Sequence, residues 1–264
     1  MSDVTLHLGD CLDVLRTLPD NSVDAVVTSP PYAMQRAAFY GGIVEGAYPE
    51  WTVAWMAALQ AGLSERASVL VNIREHVRDG QISDYVHQTR LALRGNGWIE
   101  CDELIWVKPD APPVGHPYRP RRAWERILWF SRVRQPACYP KANGRQSEHV
   151  GMTGGKPGWV HARADGQAGI ARCRDIVEVP TSCNERGGEH PAAYPVPLAE
   201  WMVRLVTEPG STVLDPFMGS GTTGVACVQT GRNFIGIEID ETYYRIAQQR
   251  IAEAQMQPSL WEVT

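Results

Sequence analysis

Closely spaced cysteine pairs, long apolar runs and internal repeats are all missing from this sequence of 264 residues. The six cysteines are scattered without a Cys-x-x-Cys pair, so neither a zinc site nor a disulfide framework has the spacing that it needs. No apolar run reaches the roughly 18 residues of a membrane-spanning helix, and the amino terminus has no basic start followed by an apolar stretch. We therefore expect a soluble, cytoplasmic protein with free thiols and no membrane partner.

Signatures of metal enzymes are missing as well. The seven histidines form neither an H-x-E nor an H-E-x-x-H arrangement, so a metal hydrolase or a deaminase has no support and no metal is expected. Hydrophobic residues at 44% and charged residues at 21% are typical of a chain that buries a core. Wholesale disorder, collagen and a coiled coil are thereby excluded.

The net charge of −5 conceals a strong segregation of charge. Residues 108–174, here called the basic segment, hold 13 Lys or Arg side chains against four acidic ones, a net charge of +9. The remaining 197 residues carry a net charge of −14. A basic segment in an acidic body suits a polyanion docked on one face, because affinity for phosphate backbones depends on the local positive field. A solvated basic loop is the alternative.

Hydrophobic periodicity predicts strands that alternate with helices, which implies an α/β fold with a mostly parallel sheet. Strands are expected at Val4–Leu8, Val23–Thr28, Ser68–Ile73, Trp98–Val107, Trp124–Ser131, Thr212–Asp215 and Asn233–Glu238. Helices are expected at Cys11–Thr17, Trp51–Leu63, Ile82–Leu93, Pro197–Val206, Thr222–Gln229 and Glu241–Glu253, with a loop at Ala33–Pro49. Periodicity fails over residues 133–174, so we predict one catalytic domain whose halves, 1–132 and 175–264, flank this insertion.

A glycine turn follows the strand at Thr212–Asp215. Gly219–Gly224 matches G-x-G-x-x-G between a strand and a helix, and Glu238 ends the next strand, which indicates a nucleotide-bearing cofactor. Asp215 precedes the glycines, and a carboxylate there would repel a pyrophosphate but attract an ammonium and a sulfonium. The turn therefore favours S-adenosylmethionine and leaves NAD open.

The Ser29-Pro-Pro-Tyr32 sequence closes a β-branched run. A Pro-Pro pair forfeits two backbone donors, so it is expected just beyond the carboxyl end of the strand, where open α/β sheets bind ligands. The Ser29 hydroxyl and the Pro30 carbonyl could each accept a hydrogen bond from an exocyclic amine on a nucleobase. The nitrogen lone pair would then be freed for attack on a methyl group, while Tyr32 stacks on the flipped base.

These motifs together resemble a known family. Thr28-Ser-Pro-Pro-Tyr32 and Asp215-Pro-Phe-Met-Gly-Ser-Gly-Thr222 resemble the amino-group DNA methyltransferases, and an acceptor motif that precedes the cofactor motif resembles their β group. Leu8–Leu12, Trp124–Ser131 and His190–Pro195 resemble further segments of that family. Only residues 133–174, where family members that read different DNA sequences diverge, lie outside the match.

The resemblance implies a Rossmann-like, S-adenosylmethionine-dependent methyltransferase fold. It would have helices on both faces of the sheet, a circularly permuted motif order and a target-recognition region at residues 133–174. The catalytic candidates are Ser29, Pro30, Pro31 and Tyr32. The cofactor-binding candidates are Asp10, His190, Asp215, Phe217, Gly219, Ser220, Gly221, Thr222, Thr223 and Glu238. The basic segment supplies the candidate DNA contacts Arg119, Arg121, Arg122, Arg134, Lys141 and Arg145.

Several functions compete for these residues. No cysteine follows a proline, which argues against a cytosine-C5 methyltransferase, and the motif order argues against protein-glutamine methyltransferases. Ser29 resembles the cytosine-N4 branch of the family, whereas adenine N6 stays open because both amines present two N–H donors. A DNA-binding module without catalytic activity is the alternative from another class. Double-stranded DNA is the expected partner, to which the resemblance would add a restriction endonuclease and a second copy of the chain.

Overall fold

A computed structural model describes residues 2–34, 42–111, 118–146, 169–181 and 194–256 of the chain. The strands are β1 Val4–Leu8, β2 Val23–Thr28, β3 Leu63–Ile73, β4 Val77–Arg78, β5 Gln81–Ile82, β6 Ile99–Val107, β7 Trp124–Ser131, β8 Ile176–Glu178, β9 Thr212–Asp215 and β10 Asn233–Glu238. The α-helices are α1 Cys11–Leu15, α2 Tyr48–Ala58, α3 Tyr85–Gly95, α4 Val196–Val206, α5 Thr222–Gln229 and α6 Glu241–Met256. None of the helices in these ranges is long and apolar enough to span a membrane.

Eight strands form one mixed sheet in the order β1-β10-β9-β2-β3-β7-β6-β8. Every neighbouring pair is parallel except the two pairs that involve β7. Helical crossovers join β2 to β3 and β9 to β10, as βαβ units require, whereas β7 follows β6 directly and returns antiparallel to it. The mostly parallel α/β fold that the sequence predicts is confirmed.

The sheet separates two apolar cores. Alternate residues of β2 point to opposite faces, so that Val27 packs with α4, α5 and α6 and Val26 packs with α1, α2 and α3. Both faces are covered because a parallel strand carries apolar side chains on both sides. The result is a three-layer molecule in which the strand ends, and not the faces, are accessible to a ligand.

The strands β9 and β2 lie side by side at the point where the chain changes direction across the sheet. From β9 the chain passes through α5 to β10 on one side, and from β2 it passes through α2 to β3 on the other. The two helices cover opposite faces of the sheet. Ligands of open α/β sheets bind beyond the carboxyl ends of the strands at such a point. We call this rim of the sheet the carboxyl edge.

The observed elements agree with the predicted ones except in a few places. The predicted helix Trp51–Leu63 instead spans Tyr48–Ala58, because Pro49 lies in its first turn, where a missing N–H costs nothing. The segment after it turns into β3, which begins at Leu63 rather than at Ser68. The short strands β4, β5 and β8 were not predicted. The predicted helix Ile82–Leu93 begins only at Tyr85, because Ile82 of β5 pairs with Val77 of β4. Part of the predicted loop at Ala33–Pro49 lies outside the described residues.

The described part of the insertion leaves the sheet at the edge opposite the carboxyl edge. The strand β7 ends there, and the backbone of Ala137 pairs with that of Arg66 in the early part of β3. The chain then runs along α4, where the Tyr139 amide donates to Leu205 O and the Asn143 side chain donates to Trp201 O. It returns to the sheet as β8, which pairs with β6.

Candidate active site

The acceptor and cofactor motifs meet at the carboxyl edge. Thr28 ends β2 and Asp215 ends β9, and the Thr28 hydroxyl donates a 2.6 Å hydrogen bond to Asp215 Oδ1. Ser29 and Pro30 follow Thr28 directly, and the glycine turn follows Asp215. A buried bond therefore fixes the relative position of the two motifs that the sequence singles out.

The carboxylate of Asp215 is turned into the protein. Asp215 is only 2% exposed, and its oxygens accept hydrogen bonds from Thr28, from Thr223 Oγ1 at 2.5 Å and from the Phe217 amide at 3.1 Å. Burial raises the pKa of Asp215 to about 6, although these hydrogen bonds oppose the shift. Through these hydrogen bonds the buried Asp215 side chain connects the end of β9 to β2 and to α5.

The glycine turn has the backbone conformation that its sequence predicts. Gly219 and Gly221 have positive φ angles of 52° and 81°, which side chains with a Cβ rarely adopt. A Cβ on Gly221 would also lie 2.9 Å from Ala247 Cβ in α6. Glycine at this position therefore serves both the turn and the close packing of two helices.

Glu238 lies directly against the turn. Its Oε2 accepts a 2.9 Å hydrogen bond from the Gly219 amide, and its Oε1 accepts one of 2.9 Å from the Asp240 amide. Burial raises the pKa of Glu238 above its ordinary range. The Gly9 amide donates to the Glu238 carbonyl, which brings Asp10 to the same edge as the exposed N-cap of α1.

Other cofactor-binding candidates make contacts within the protein. The Ser220 and Thr222 hydroxyls lie 3.1 and 3.4 Å from Arg250 Nη1 of α6. Thr223 lies beneath Asp215 and hydrogen-bonds the Tyr194 hydroxyl at 2.5 Å. The ring of Phe217 packs against Trp51 and Trp55 of α2, with ring centroids 5.3 and 5.5 Å apart. His190 lies outside the described residues.

The phenol of Tyr32 is anchored by a polar network that the sequence analysis missed. Tyr32 donates a 3.0 Å hydrogen bond to Glu125 Oε2, and Asn72 Nδ2 donates to both of these residues. Glu125 also forms a buried ion pair with Lys108. Burial, together with the nearby Glu125 charge, raises the pKa of Tyr32 well above its usual value. Lys108 follows the end of β6 and Glu125 lies near the start of antiparallel β7, so a sheet model could have brought them to one edge.

The candidate DNA contacts divide between two regions. Arg119, Arg121 and Arg122 donate to the carbonyls of Gly80, Ala111 and Glu75, in segments that follow β3 and β6 near the carboxyl edge. The exposed residues Arg134 and Lys141 lie in the part of the insertion that begins at the opposite edge. Arg145 is also exposed, and its carbonyl accepts from the Ala171 amide.

Some cations of the basic segment are neutralised within the protein. Arg126 forms ion pairs of 2.8 Å with Glu75 and 2.7 Å with Glu103. Arg122 lies 3.5 Å from the same Glu75, and burial lowers the pKa of its guanidinium. The positive field that could act on a ligand is therefore smaller than the count of basic residues suggests.

A family comparison decides between the enzyme classes. The model of a DNA methylase family, whose members methylate N6 or N4 amino groups, matches residues 23–249. The chain belongs to this DNA methylase family. The methylase is a site-specific DNA methyltransferase that acts on double-stranded DNA with S-adenosylmethionine as its cofactor. The expected membership of an amino-methyltransferase family is confirmed, and a DNA-binding module without activity is not supported.

Named relatives and solved structures agree with this assignment. The methylase is 30% identical to the type II methyltransferase M.XycI of Xanthomonas campestris pv. cyanopsidis, with 94% of this chain and 87% of the relative covered. It is 24% identical to M.PvuII of Proteus hauseri, with 92% of this chain and 82% of that relative covered.

Two solved structures share the fold. The cytosine-N4-specific PvuII DNA methyltransferase matches with a TM-score of 0.74 at 21% identity. The match covers 98% of this chain and 88% of that structure's chain. M1.HpyAVI in complex with SAM matches with a TM-score of 0.64 at 22% identity, and the match covers 94% of this chain and 98% of that structure's chain. At these identities the likeness concerns the fold alone.

The chemistry of the carboxyl edge fits the cofactor. The Glu238 carboxylate lies against the turn at Gly219 and Asp10 is an exposed carboxylate beside it, and hydrogen-bond acceptors of this kind suit ribose hydroxyls. No group of three His, Cys, Asp or Glu side chains in the described ranges is arranged to hold a metal ion.

Proposed function

We propose that this methylase transfers the methyl group of S-adenosylmethionine to the exocyclic N4 of cytosine. The Thr28–Asp215 hydrogen bond carries the proposal, because it holds Ser29 and Pro30 beside the glycine turn. Serine as the first residue of the acceptor motif resembles the cytosine-N4 branch, and the PvuII enzyme that shares the fold is named as cytosine-N4-specific. Adenine N6 is the second candidate, since its amine presents the same two donors.

The acceptor loop, residues 29–32, would activate the amine through two hydrogen bonds. The lone pair of an exocyclic amine is delocalised into the ring, so the amine is a poor nucleophile. The Ser29 hydroxyl and the Pro30 carbonyl each accept one N–H, which draws the nitrogen towards tetrahedral geometry and frees the lone pair. The bound cofactor supplies an electrophilic methyl group. The target base must leave the duplex to reach this edge, and the ring of Tyr32 would stack on it.

The cofactor contacts fall into two groups in this proposal. Asp10, Gly219 and Glu238 would face the bound molecule, as would His190 from a segment outside the described residues. The other candidates would shape the site from beneath, because they contact α2 or α6 or, for Asp215 and Thr223, hydrogen-bond each other in the interior. This second group is Asp215, Phe217, Ser220, Gly221, Thr222 and Thr223.

DNA would approach the carboxyl edge, where Arg119, Arg121 and Arg122 would contact phosphates. Residues 133–174 would form a target-recognition region between the two halves of the catalytic domain, residues 1–132 and 175–264. Because Arg134 and Lys141 lie towards the opposite edge, their position supports a contact with DNA less than that of Arg119 does. Exchanging residues 133–174 with those of a relative that has another target tests the role. A chimera that folds and still methylates the original sequence would show that recognition lies elsewhere.

Two partners belong to the proposal, a cognate restriction endonuclease and a second copy of the chain. Relatives named as type II methyltransferases support the endonuclease, and the cytoplasm is the proposed site of action. Protection of methylated plasmid DNA from restriction enzymes would identify the target. Sedimentation of the purified methylase would show whether it is a homodimer.

Identification of the methylated base tests the proposed reaction. Plasmid DNA is incubated with the methylase and cofactor, digested to nucleosides and separated by chromatography with mass detection. N4-methylcytosine is the expected product, and N6-methyladenine would support the second candidate. DNA from a reaction without cofactor is the control. If neither nucleoside forms on any DNA tested, the proposed function is wrong.

A further inference from the structure

A polar network crosses the carboxyl edge beside the acceptor loop. The Tyr32 hydroxyl donates a 3.0 Å hydrogen bond to Glu125 Oε2. Asn72 Nδ2 lies 2.9 Å from the same carboxylate oxygen and 3.3 Å from the Tyr32 oxygen. Lys108 forms an ion pair with the other carboxylate oxygen of Glu125. Directly or through one another, three side chains thus hold the hydroxyl of a loop residue.

The three partners of Tyr32 come from three neighbouring strands. Asn72 lies in β3 and Glu125 in β7, and Lys108 directly follows the end of β6. Asn72 pairs with Ile127, which lies two residues beyond Glu125 on the same face of β7. Paired strands with a buried face have a fixed register, so the sheet fixes where the Glu125 carboxylate lies. The Tyr32 hydroxyl is therefore bound to the rigid part of the fold.

The carboxylate of Glu125 has little freedom to leave this position. Glu125 is 8% exposed, and both of its oxygens have partners. Lys108, the partner of Oε1, lies 4.1 Å from the centroid of the Trp106 ring. A buried ion pair that loses one contact is strongly destabilised, so the two contacts together restrict rotation of the carboxylate. Glu125 is thus a rigid acceptor for the Tyr32 hydroxyl.

The amide of Asn72 faces the network with its nitrogen. A reversed amide would bring its oxygen against the Glu125 carboxylate, and neither of these groups could donate. Asn72 is 2% exposed, and its Oδ1 has no hydrogen-bond partner within the described ranges. An unpaired buried acceptor costs stability, which the two donations to Glu125 and Tyr32 must offset.

The acceptor loop is held at both of its ends. Thr28, the residue before the loop, is bound to Asp215 at 2.6 Å. Tyr32, the last residue of the loop, is bound to Glu125 at 3.0 Å. The two prolines between them have φ angles that their rings fix. The loop therefore has little freedom to change its conformation.

We infer that Glu125 is a positioning residue, which holds the Tyr32 ring in the orientation that receives the target base. The inference rests on the proposed function, in which this ring stacks on the flipped base. A ring that is already ordered loses little conformational freedom when the base arrives, so stacking retains more of its free energy. Without the hydrogen bond, the ring must be ordered at each encounter with a base.

Tyr32→Phe keeps the ring and removes its hydrogen bond to Glu125. We expect base flipping and single-turnover methyl transfer to fall together by about 3- to 10-fold, the usual cost of ordering one side chain on binding. Cofactor affinity, measured by calorimetry, should be unchanged. Tyr244→Phe in α6 is the matched control, because that hydroxyl donates to Leu6 O of β1. The control should flip the base and transfer the methyl group as wild type does.

Base flipping is measured separately from methyl transfer. The target sequence is first read from DNA that the methylase has modified. The target base is then replaced by a fluorescent analogue whose emission rises when it leaves the stack, whereas transfer is measured on natural DNA. A positioning role lowers both signals, but a defect in the chemical step alone would leave the fluorescence unchanged.

Glu125→Gln tests whether Glu125 acts through Tyr32. The Lys108 ammonium draws the single oxygen of the glutamine amide to itself, which leaves the amide nitrogen facing Tyr32 and Asn72. Flipping should fall as it does in Tyr32→Phe, and combining the two substitutions should lower it no further. The fold should be destabilised in either background. If Glu125 were merely structural, its substitution would lower flipping by the same factor with and without the Tyr32 hydroxyl.

Glu100→Gln is the matched control for the loss of a buried carboxylate. Glu100 lies in β6 towards the opposite edge, where Oε1 lies 2.6 Å from Arg90 Nε. Its side chain is 11% exposed, against 10% for that of Glu125. The substitution should lower the free energy of unfolding in urea but leave flipping and transfer unchanged. If Glu125→Gln does not fold, the comparison of Tyr32→Phe with Tyr244→Phe decides.

The outcomes separate the positioning role from the reaction on which it rests. Wild-type flipping by Tyr32→Phe overturns the role, whether or not transfer slows. An effect of Glu125→Gln on flipping that is the same in both backgrounds also overturns it. Each of these results leaves the proposed function intact, because wild type still methylates DNA. If wild type methylates no DNA amine, the proposed function fails, and the positioning role fails with it.

Discussion

The hydroxyl of Thr28 donates a 2.6 Å hydrogen bond to Oδ1 of Asp215, although 187 residues separate the two in the sequence. The bond joins the last residues of two neighbouring parallel strands, β2 and β9. One of these strands leads to the acceptor loop and the other to the glycine turn. In the proposed reaction, the distance between the amine and the cofactor would therefore depend on a contact that touches neither of them.

Thr28→Val tests how much this hydrogen bond contributes to the free energy of unfolding and to the rate of methyl transfer. Valine preserves the shape but removes a buried donor to a carboxylate, which should cost about 1.5–3 kcal/mol in the free energy of unfolding. Methyl transfer should fall while cofactor affinity is retained. Thr89→Val in α3 is the control, because that hydroxyl donates only to a carbonyl of its own helix, so its loss should be about 1 kcal/mol or less. Equal losses in urea denaturation would contradict the assigned importance of the bond.

Asp215→Asn should change how stability depends on pH. Burial raises the pKa of Asp215 from its ordinary value of 3.8 to about 6, so the folded state holds this proton more tightly than the unfolded chain does. Stability from this group is complete below about pH 4 and is lost as pH rises to about 6. At 1.36 kcal/mol per pKa unit, the loss is about 3 kcal/mol. The difference in unfolding free energy between wild type and Asp215→Asn, measured by urea denaturation from pH 4 to 7, should shift by this amount to the disadvantage of wild type. A difference independent of pH would show that Asp215 does not titrate in this range.

Glu238→Gln should weaken cofactor binding. The side chain keeps its size, but one oxygen that accepts from a backbone amide becomes a donor, and the charge available to the ribose hydroxyls is lost. A loss of roughly 10- to 100-fold in affinity, measured by calorimetry, corresponds to a charged hydrogen bond. Asp240→Asn is the control, because Asp240 caps α6 by accepting from Thr242 and Tyr243, and asparagine caps a helix equally well. Equal effects of the two substitutions would refute a direct role for Glu238.

Ser29→Ala should slow transfer without affecting the cofactor. Removing one of the two acceptors of the amine leaves the Pro30 carbonyl, so we expect a loss of at least about 100-fold in the single-turnover rate. Ser22→Ala, which removes a hydroxyl that donates to Pro19 O ahead of β2, should leave the rate unchanged. Wild-type turnover in Ser29→Ala would exclude the proposed activation.

Gly221→Ala should destabilise the fold beyond the cost of its backbone angle. The positive φ costs alanine roughly 1–2 kcal/mol, and overpacking against Ala247 adds about 1–3 kcal/mol. Gly97→Ala measures the first contribution alone, because Gly97 has a φ of 86° and a Cβ there meets nothing within 4 Å. The two variants should therefore differ in urea denaturation by the packing contribution. Equal losses would show that α6 moves aside.

Much of the fold could be predicted from short sequence patterns. The strand β9, helix α5 and strand β10 have the predicted bounds, because a β-branched run, a glycine turn and a helical repeat each mark their own ends. The strand β8 has only three residues, and its pairing with β6 depends on tertiary structure rather than on composition. Its sequence contains no signal long enough to detect.

The site was predicted in outline but not in orientation. Strand alternation places Asp215 on the same face as Val213, beneath α5, so its carboxylate points into the protein. The sequence analysis considered the charge of Asp215 and not this alternation. The network of Asn72, Lys108 and Glu125 was missed because each lies in or beside a strand that was interpreted as core.

The neighbouring placement of β2 and β9 also governs how the nascent chain can fold. The pairing of Ala25 with Val213 closes a loop of most of the chain, and β1 pairs only with β10, the last strand to be made. While the ribosome is still adding residues ahead of β9, β2 has one unpaired side and β1 has no partner within the described sheet. Contacts of such long sequence separation slow folding and leave strand edges open to wrong partners. The site therefore cannot assemble, and DNA cannot be modified, until the final third of the chain has emerged.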